Sequence, residues 1–262
     1  MIRDRDLEDL RLAKRLLEGQ SMAQRITRVL GAPIEKGLGL LPEKWSGLVQ
    51  RATQRSLKKA LEFAILTLDD KRRRGQGPSE RFYRLSVGLS GGLGGAFGLG
   101  GLALELPVST VLMLRSILEI ARSQGEDLRS IEARLACLEV FALGGRSPAD
   151  DAAETTYYAV RAALAKAVSE AARFIAERGL LQEGSPALVR LITAIAGRFG
   201  VLVSEKVAAA AIPIVGAAGG ALLNEIFLDH FLTVARGHFI VRRLERACGR
   251  DAVEKAYEEL PV

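Results

Sequence analysis

Aromatic residues make up only 5% of the 262 residues, and histidine and cysteine occur twice each. Aromatic and β-branched runs are what strands are made from, so their scarcity counts against sheet. Cys137 and Cys248 are far apart and lack metal-type spacing, which reads as two buried thiols in a reducing compartment, not as a disulfide framework. No Walker A sequence occurs, and the first eighteen residues, MIRDRDLEDLRLAKRLLE, are charged throughout. That excludes a secretory apolar stretch there, so cytoplasmic synthesis and retention are expected.

What the chain has is Ala, Leu and Arg, all strong helix formers, within an apolar content of 48%. The expected fold is all-α, a multi-helix bundle with no significant β-sheet, long enough to bury a full core. Charge is uneven. Residues 1–84 hold 19 Lys/Arg against 11 Asp/Glu, while residues 85–262 hold 18 against 20. The basic character therefore belongs to the N-terminal third, where it attracts a polyanion such as phospholipid headgroups or nucleic acid, or forms a solvated helix face.

Leu7, Leu10, Ala13, Leu16 and Leu17 recur at helical spacing behind Asp4 and Asp6, acids that suit a helix N-terminus. Ser21 caps a second helix ending near Gly31, and residues 33–42 break the pattern with two prolines and two glycines. A long helix is expected from Glu43 to about Arg74. After a stop at Glu105 and Pro107, helices are expected at 108–123 and 130–143, the latter ending at Gly144-Gly145. Ser147-Pro148 and Ser185-Pro186 each start a helix, running to about Arg178 and Phe199. A further helix leads into an apolar stretch and continues to Gly249, followed by a short one from Asp251 to about Glu259. The expected division is N-terminal amphipathic helices at 1–42, a main helical domain at 43–250 and a terminal helix at 251–262.

Two segments without charge stand out: 85–104, with eight glycines, and 207–223, interrupted by Pro213. Glycine costs about 1 kcal/mol relative to alanine inside a helix, so something must compensate. Gly88/Gly92, Gly91/Gly95, Gly94/Gly98 and Gly216/Gly220 are four-residue pairs that put bare backbone on one helix face, and two such faces can pack closely. The two segments are expected to pack on each other, in a buried core or within lipid. Lys71, Arg72, Arg73, Arg74, Arg81 and Arg84, against Glu80 alone, immediately precede the first segment, an arrangement that sits on the cytoplasmic side of a membrane.

Gly88-Leu89-Ser90-Gly91-Gly92 fits G-x-S-x-G on paper, but a nucleophile elbow needs a preceding strand. His230 and His238 lie on one expected helix about 12 Å apart along its axis and rotated by about 80°, so they do not readily share a metal ion. Glu105, Arg115, Asp229, His230, Arg236 and His238 form the candidate polar cluster beside the glycine faces, because buried charges must find partners; the bland alternative is that they clamp helix ends together. No metal and no cofactor is expected, and nucleic acid is disfavoured because the cations lack interleaved aromatics.

Glu105-Leu106-Pro107, Thr110–Ser116, Ala121-Arg122, Gly125-Glu126-Asp127 and Leu138–Leu143 resemble the N-terminal signature of the bacterial EcsC family. Ala211–Gly220, Asn224, Asp229-His230-Phe231, Ala235–Phe239 and Arg242–Glu245 resemble its C-terminal half, so the resemblance runs from about residue 45 to 250. It implies a helical, membrane-associated protein linked to ABC export, supplies no catalytic residues, and adds Glu245 to the candidate site. The expected function is non-enzymatic: a membrane-proximal protein, peripheral to the inner face of the cytoplasmic membrane, that binds a partner protein or anionic lipid through Lys71–Arg84. The alternative is an enzyme or a small-molecule or metal-binding protein using the Glu/Asp/His cluster.

Overall fold

The computed structural model describes residues 3–31, 37–39, 41, 45–66, 98–145, 157–179, 185–212 and 216–261. Among them are nine helices and no strand: α1 (Asp4–Glu18), α2 (Met22–Leu30), α3 (Trp45–Leu66), α4 (Gly98–Ser123), α5 (Ile131–Leu143), α6 (Tyr157–Arg178), α7 (Pro186–Ala210), α8 (Gly216–Cys248) and α9 (Arg250–Glu259). The all-α bundle expected from composition is what forms.

The organising element is α5. Every residue from Ala133 to Ala142 is buried, charged ones included, and a helix that is apolar nearly all round has to lie inside. It packs against α3, α4, α6, α7 and α8. Phe141 on α5, Phe199 on α7 and Phe231 on α8 meet with ring centroids 5.0–5.5 Å apart. The 33-residue α8 spans the bundle and also carries α1, α2 and α9 on its outer side.

Local chemistry sets several helix ends. Ser21 and Gln24 form a reciprocal capping box on α2, which ends at Gly31 with φ +66°. Ser130 caps α5 through the Ala133 N–H. The buried Lys14 ammonium of α1 donates to the Tyr257 and Leu260 carbonyls at 2.9 and 2.6 Å, which satisfies the end of α9 and complements its dipole. The N-terminal helices are therefore integral to the bundle. Close approach of α1 to α8 depends on Gly237, where a Cβ would lie 2.7 Å from Leu17 Cγ and 3.0 Å from the Ala13 carbonyl oxygen. This is a close approach of a different pair of helices from the one the sequence suggested.

Three expectations are corrected. Pro107 does not end a helix but lies inside α4. A mid-helix proline costs about 3 kcal/mol, and burial of Leu106, Met113, Leu114 and Ile117 at about 1.5–3 kcal/mol each outweighs it. The helix at Ser185-Pro186 continues past Phe199 to Ala210, because Leu202, Val203 and Val207 reach the core while Gly200 costs about 1 kcal/mol. The uncharged stretch 207–223 is not one helix: α7 ends at Ala210 and α8 begins at Gly216.

α4 and α8 pack together, but most of the first segment, residues 85–97, lies outside the described residues. Gly98, Gly216 and Gly220 are helical, while Gly88, Gly91, Gly92, Gly94 and Gly95, like Lys71–Arg74, Arg81 and Arg84, lie outside the described residues. Among the described residues one helix, α7, is long and apolar enough to cross a membrane, with a mean hydropathy of 1.7 over its best window. It packs against α2, α3, α5, α6 and α8.

Candidate functional site

The candidate residues are not gathered at one point. Asn224, His230, His238 and Glu245 follow one another along α8, and 21 residues of helix span about 31 Å. Each meets a different partner, so the single polar cluster expected from the sequence becomes three separate junctions. Arg115 is half-buried on α4 and Arg236 is exposed on α8.

The first junction joins α4, α7 and α8. Glu105 accepts from the Lys206 ammonium at 3.0 and 3.1 Å and from the Asn224 amide at 3.0 Å, with all three side chains buried. Lys206 Nζ also sits 5.0 Å from the centroid of the Phe227 ring. A carboxylate and an ammonium removed from water need this degree of mutual satisfaction to be tolerated. Lys206 could not be chosen from sequence, where it is one cation among many on a long apolar helix.

The second closes the C-terminal end of α5. His230 Nε2 donates to the Gly144 carbonyl at 2.8 Å, and the Arg198 guanidinium donates to the Ala142 carbonyl at 3.0 Å and to the Gly145 carbonyl. Side chains from α8 and α7 thus satisfy carbonyls that a helix end leaves without partners. The paired glycines make this approach feasible: a Cβ at Gly144 would lie 2.8 Å from the Phe231 ring, and one at Gly145 would lie 2.6 Å from the Arg198 carbonyl oxygen. Burial pushes His230 down to about 4, against the opposing pull of its bond to Gly144, so the ring is neutral at pH 7. Asp229, the next residue, pairs with Arg25 of α2 at 2.8 Å. A cavity of about 110 Å³ adjoins His230 beneath the α1–α2 turn, with Arg25, Glu205 and Thr233 also on its wall.

The third lies among α6, α8 and α9. His238 is fully buried, and its Nδ1 is 2.8 Å from the Tyr157 hydroxyl, while Nε2 has no partner among the described residues. Burial, with Arg161 and Arg242 nearby, holds this imidazole well below its ordinary value. Tyr157, Tyr158 and Tyr257 pack at centroid distances of 5.1–5.6 Å. Glu245 accepts two bonds from Arg161 at 2.7 and 3.1 Å and one from the Tyr158 hydroxyl at 3.1 Å. One turn away, Arg242 and Arg246 both bind Glu126 of the α4–α5 turn. Burial raises the Glu126 carboxyl, but these two cations outweigh that and hold it below the usual carboxylate range.

Sequence reading missed Glu139 of α5. Its side chain is buried, and burial pushes its carboxyl above the usual range despite Arg161 and Arg242. The available signal was an acid in the middle of the apolar run Leu135–Leu143, where an acid needs a reason to be. Among the described residues, no group of three or more His, Cys, Asp or Glu side chains is arranged to hold a metal ion.

A long helix tying smaller ones to a buried central helix through polar junctions defines a helical-bundle protein built around α5 and α8. The chain belongs to the EcsC protein family, whose model matches residues 7–244. That range takes in α1 and α2, so the resemblance extends over the N-terminal helices that were expected to lie outside it. No match was found among curated proteins or among solved structures.

Proposed function

We propose that this protein works by binding and not by catalysis, at the inner face of the cytoplasmic membrane, with anionic lipid headgroups as its primary target. The observation that carries the reading is the run Lys71–Arg74 with Arg81 and Arg84, six cations against one acid, directly before a twenty-residue stretch without charge. Each Lys or Arg near an anionic surface contributes about 1 kcal/mol, so six are ample for reversible association even after screening. Further support comes from how the acid–base residues are used: Glu105, His230, His238 and Glu245 each have a partner at a helix junction, as structural residues would. The family's link to export fits a protein working beside a membrane.

Sedimentation with vesicles tests it. Vesicles containing phosphatidylglycerol should pull the full chain down at low salt and release it at about 0.5 M salt, where screening is nearly complete. Changing Arg72, Arg73 and Arg74 together to glutamate should abolish sedimentation. Equal pelleting with neutral phosphatidylcholine, or no response to salt, would overturn the reading.

A further inference from the structure

Between α6 and α8, both packed on α5, lies an open cleft of about 400 Å³. Its wall on α6 is lined with small side chains, among them Ala165 and Ala172, and it is this economy of volume that leaves the space. Arg161, Arg173, Arg242 and Arg250 line it, against the two acids Glu132 and Glu139. The cations differ in kind. Arg161 is fixed by its two bonds to Glu245 and lies over the rings of Tyr157 and Tyr158 at 5.4 and 5.5 Å, and Arg242 is fixed by two bonds to Glu126. Arg173 and Arg250 are exposed at the rim.

Glu139 is the feature without a structural explanation. It is 7% exposed, it lines the cleft, and among the described residues it has no hydrogen-bond partner, although two guanidinium groups act on it electrostatically. Its oxygens are not sealed from solvent but open onto the cleft, where the hydroxyl of an arriving ligand can donate to them. Four arginines attract an anion to the same place. Two of them are held in position by their own carboxylates, which lowers the ordering cost of binding.

We propose that this cleft binds a phosphate ester of a small polyol, the phosphate meeting the arginines and a hydroxyl donating to Glu139. The inference rests on the cleft alone and not on residues 71–84. The ligand chemistry is shared by free glycerol phosphate and by the headgroup of phosphatidylglycerol, and the experiment separates the two.

Calorimetric titration of the full chain with glycerol 3-phosphate, inorganic phosphate and glycerol, beside sedimentation with phosphatidylglycerol vesicles, tests this. Glycerol 3-phosphate should bind at least tenfold more tightly than phosphate, and glycerol should not bind detectably. The surface double variant Arg173→Glu, Arg250→Glu should lose both anions without loss of helicity by circular dichroism. Glu139→Gln should weaken glycerol 3-phosphate by roughly five- to tenfold, about the loss of one charge-assisted bond, and leave phosphate binding equal or stronger because a like charge has gone. Vesicle binding that Arg173→Glu, Arg250→Glu removes, without binding of the free ester, assigns the site to the lipid headgroup. Vesicle binding that only changes at Arg72–Arg74 affect, together with no binding of the free ester, overturns the cleft proposal and leaves the reading of residues 71–84 standing. Equal changes for both anions in Glu139→Gln also overturn it.

Discussion

Changing Lys206 to alanine should destabilise the fold by about 3–5 kcal/mol, because it strands a carboxylate in the core. The Nζ lies 3.0 and 3.1 Å from the two Glu105 oxygens, and the two side chains are 9% and 8% exposed. At 3 Å and an effective dielectric of 20, the gross attraction is roughly 5 kcal/mol, most of which offsets the desolvation of both ions. Removing one partner loses the attraction but not the cost to the other. Asn224 alone remains to hold Glu105, and the aromatic contact of Lys206 with Phe227 is lost as well. The double change Glu105→Leu, Lys206→Met removes both charges at similar volume and should cost under about 2 kcal/mol, less than the single change. Urea denaturation followed by circular dichroism measures both. In a domain of this size each 1 kcal/mol corresponds to about 2–4 °C, so Lys206→Ala should lower the melting temperature by roughly 6–20 °C. A loss under about 1 kcal/mol for Lys206→Ala with an unchanged denaturant slope, or a double variant as damaged as the sum of the singles, would refute the reasoning.

Stability should fall in mild acid through His230. Its folded value near 4 lies below the unfolded value near 6.5, so between these limits the unfolded chain binds the additional proton; the contribution is full above about pH 6.5, declines as the pH drops and is gone below about 4, for a total of about 3 kcal/mol. Urea midpoints from pH 7.5 to 4 should show a shallower decline in His230→Gln, and parallel curves would count against the assignment. Gly237→Ala should destabilise by about 1–3 kcal/mol, because the new methyl meets α1, whereas Gly200→Ala enters open space on a helix and should stabilise by about 0.5–1 kcal/mol. Thermal melts of the two variants should therefore move in opposite directions. Lys14→Met should loosen α9 from α1 by removing the donor to Tyr257 and Leu260; faster hydrogen exchange confined to residues 250–259 would report it, and unchanged protection would refute it.

The sequence by itself determined the class of fold, most helix starts and the family. Capping at Ser21 and Ser130, the proline start at Ser185-Pro186 and apolar repeats at helical spacing are local signals, readable because they act within a turn or two. It also put Glu105, His230, His238 and Glu245 forward, each of which has a partner from another helix.

Only the tertiary structure decided which partner each one meets. Lys206, Gly144, Tyr157 and Arg161 lie 101, 86, 81 and 84 residues from Glu105, His230, His238 and Glu245, and no local pattern encodes such pairings. The same holds where the helices stop. Pro107 and Gly200 are breakers by local rule, and both are overridden because the core gained by continuing is worth more than the turn that is weakened. Glu139 shows the limit most plainly: from the sequence it is one acid in an apolar run, and only the helices brought together around it make it part of the wall of a cationic cleft. Helix formation is settled by neighbours along the chain, whereas the chemistry of a buried charge is settled by neighbours in space.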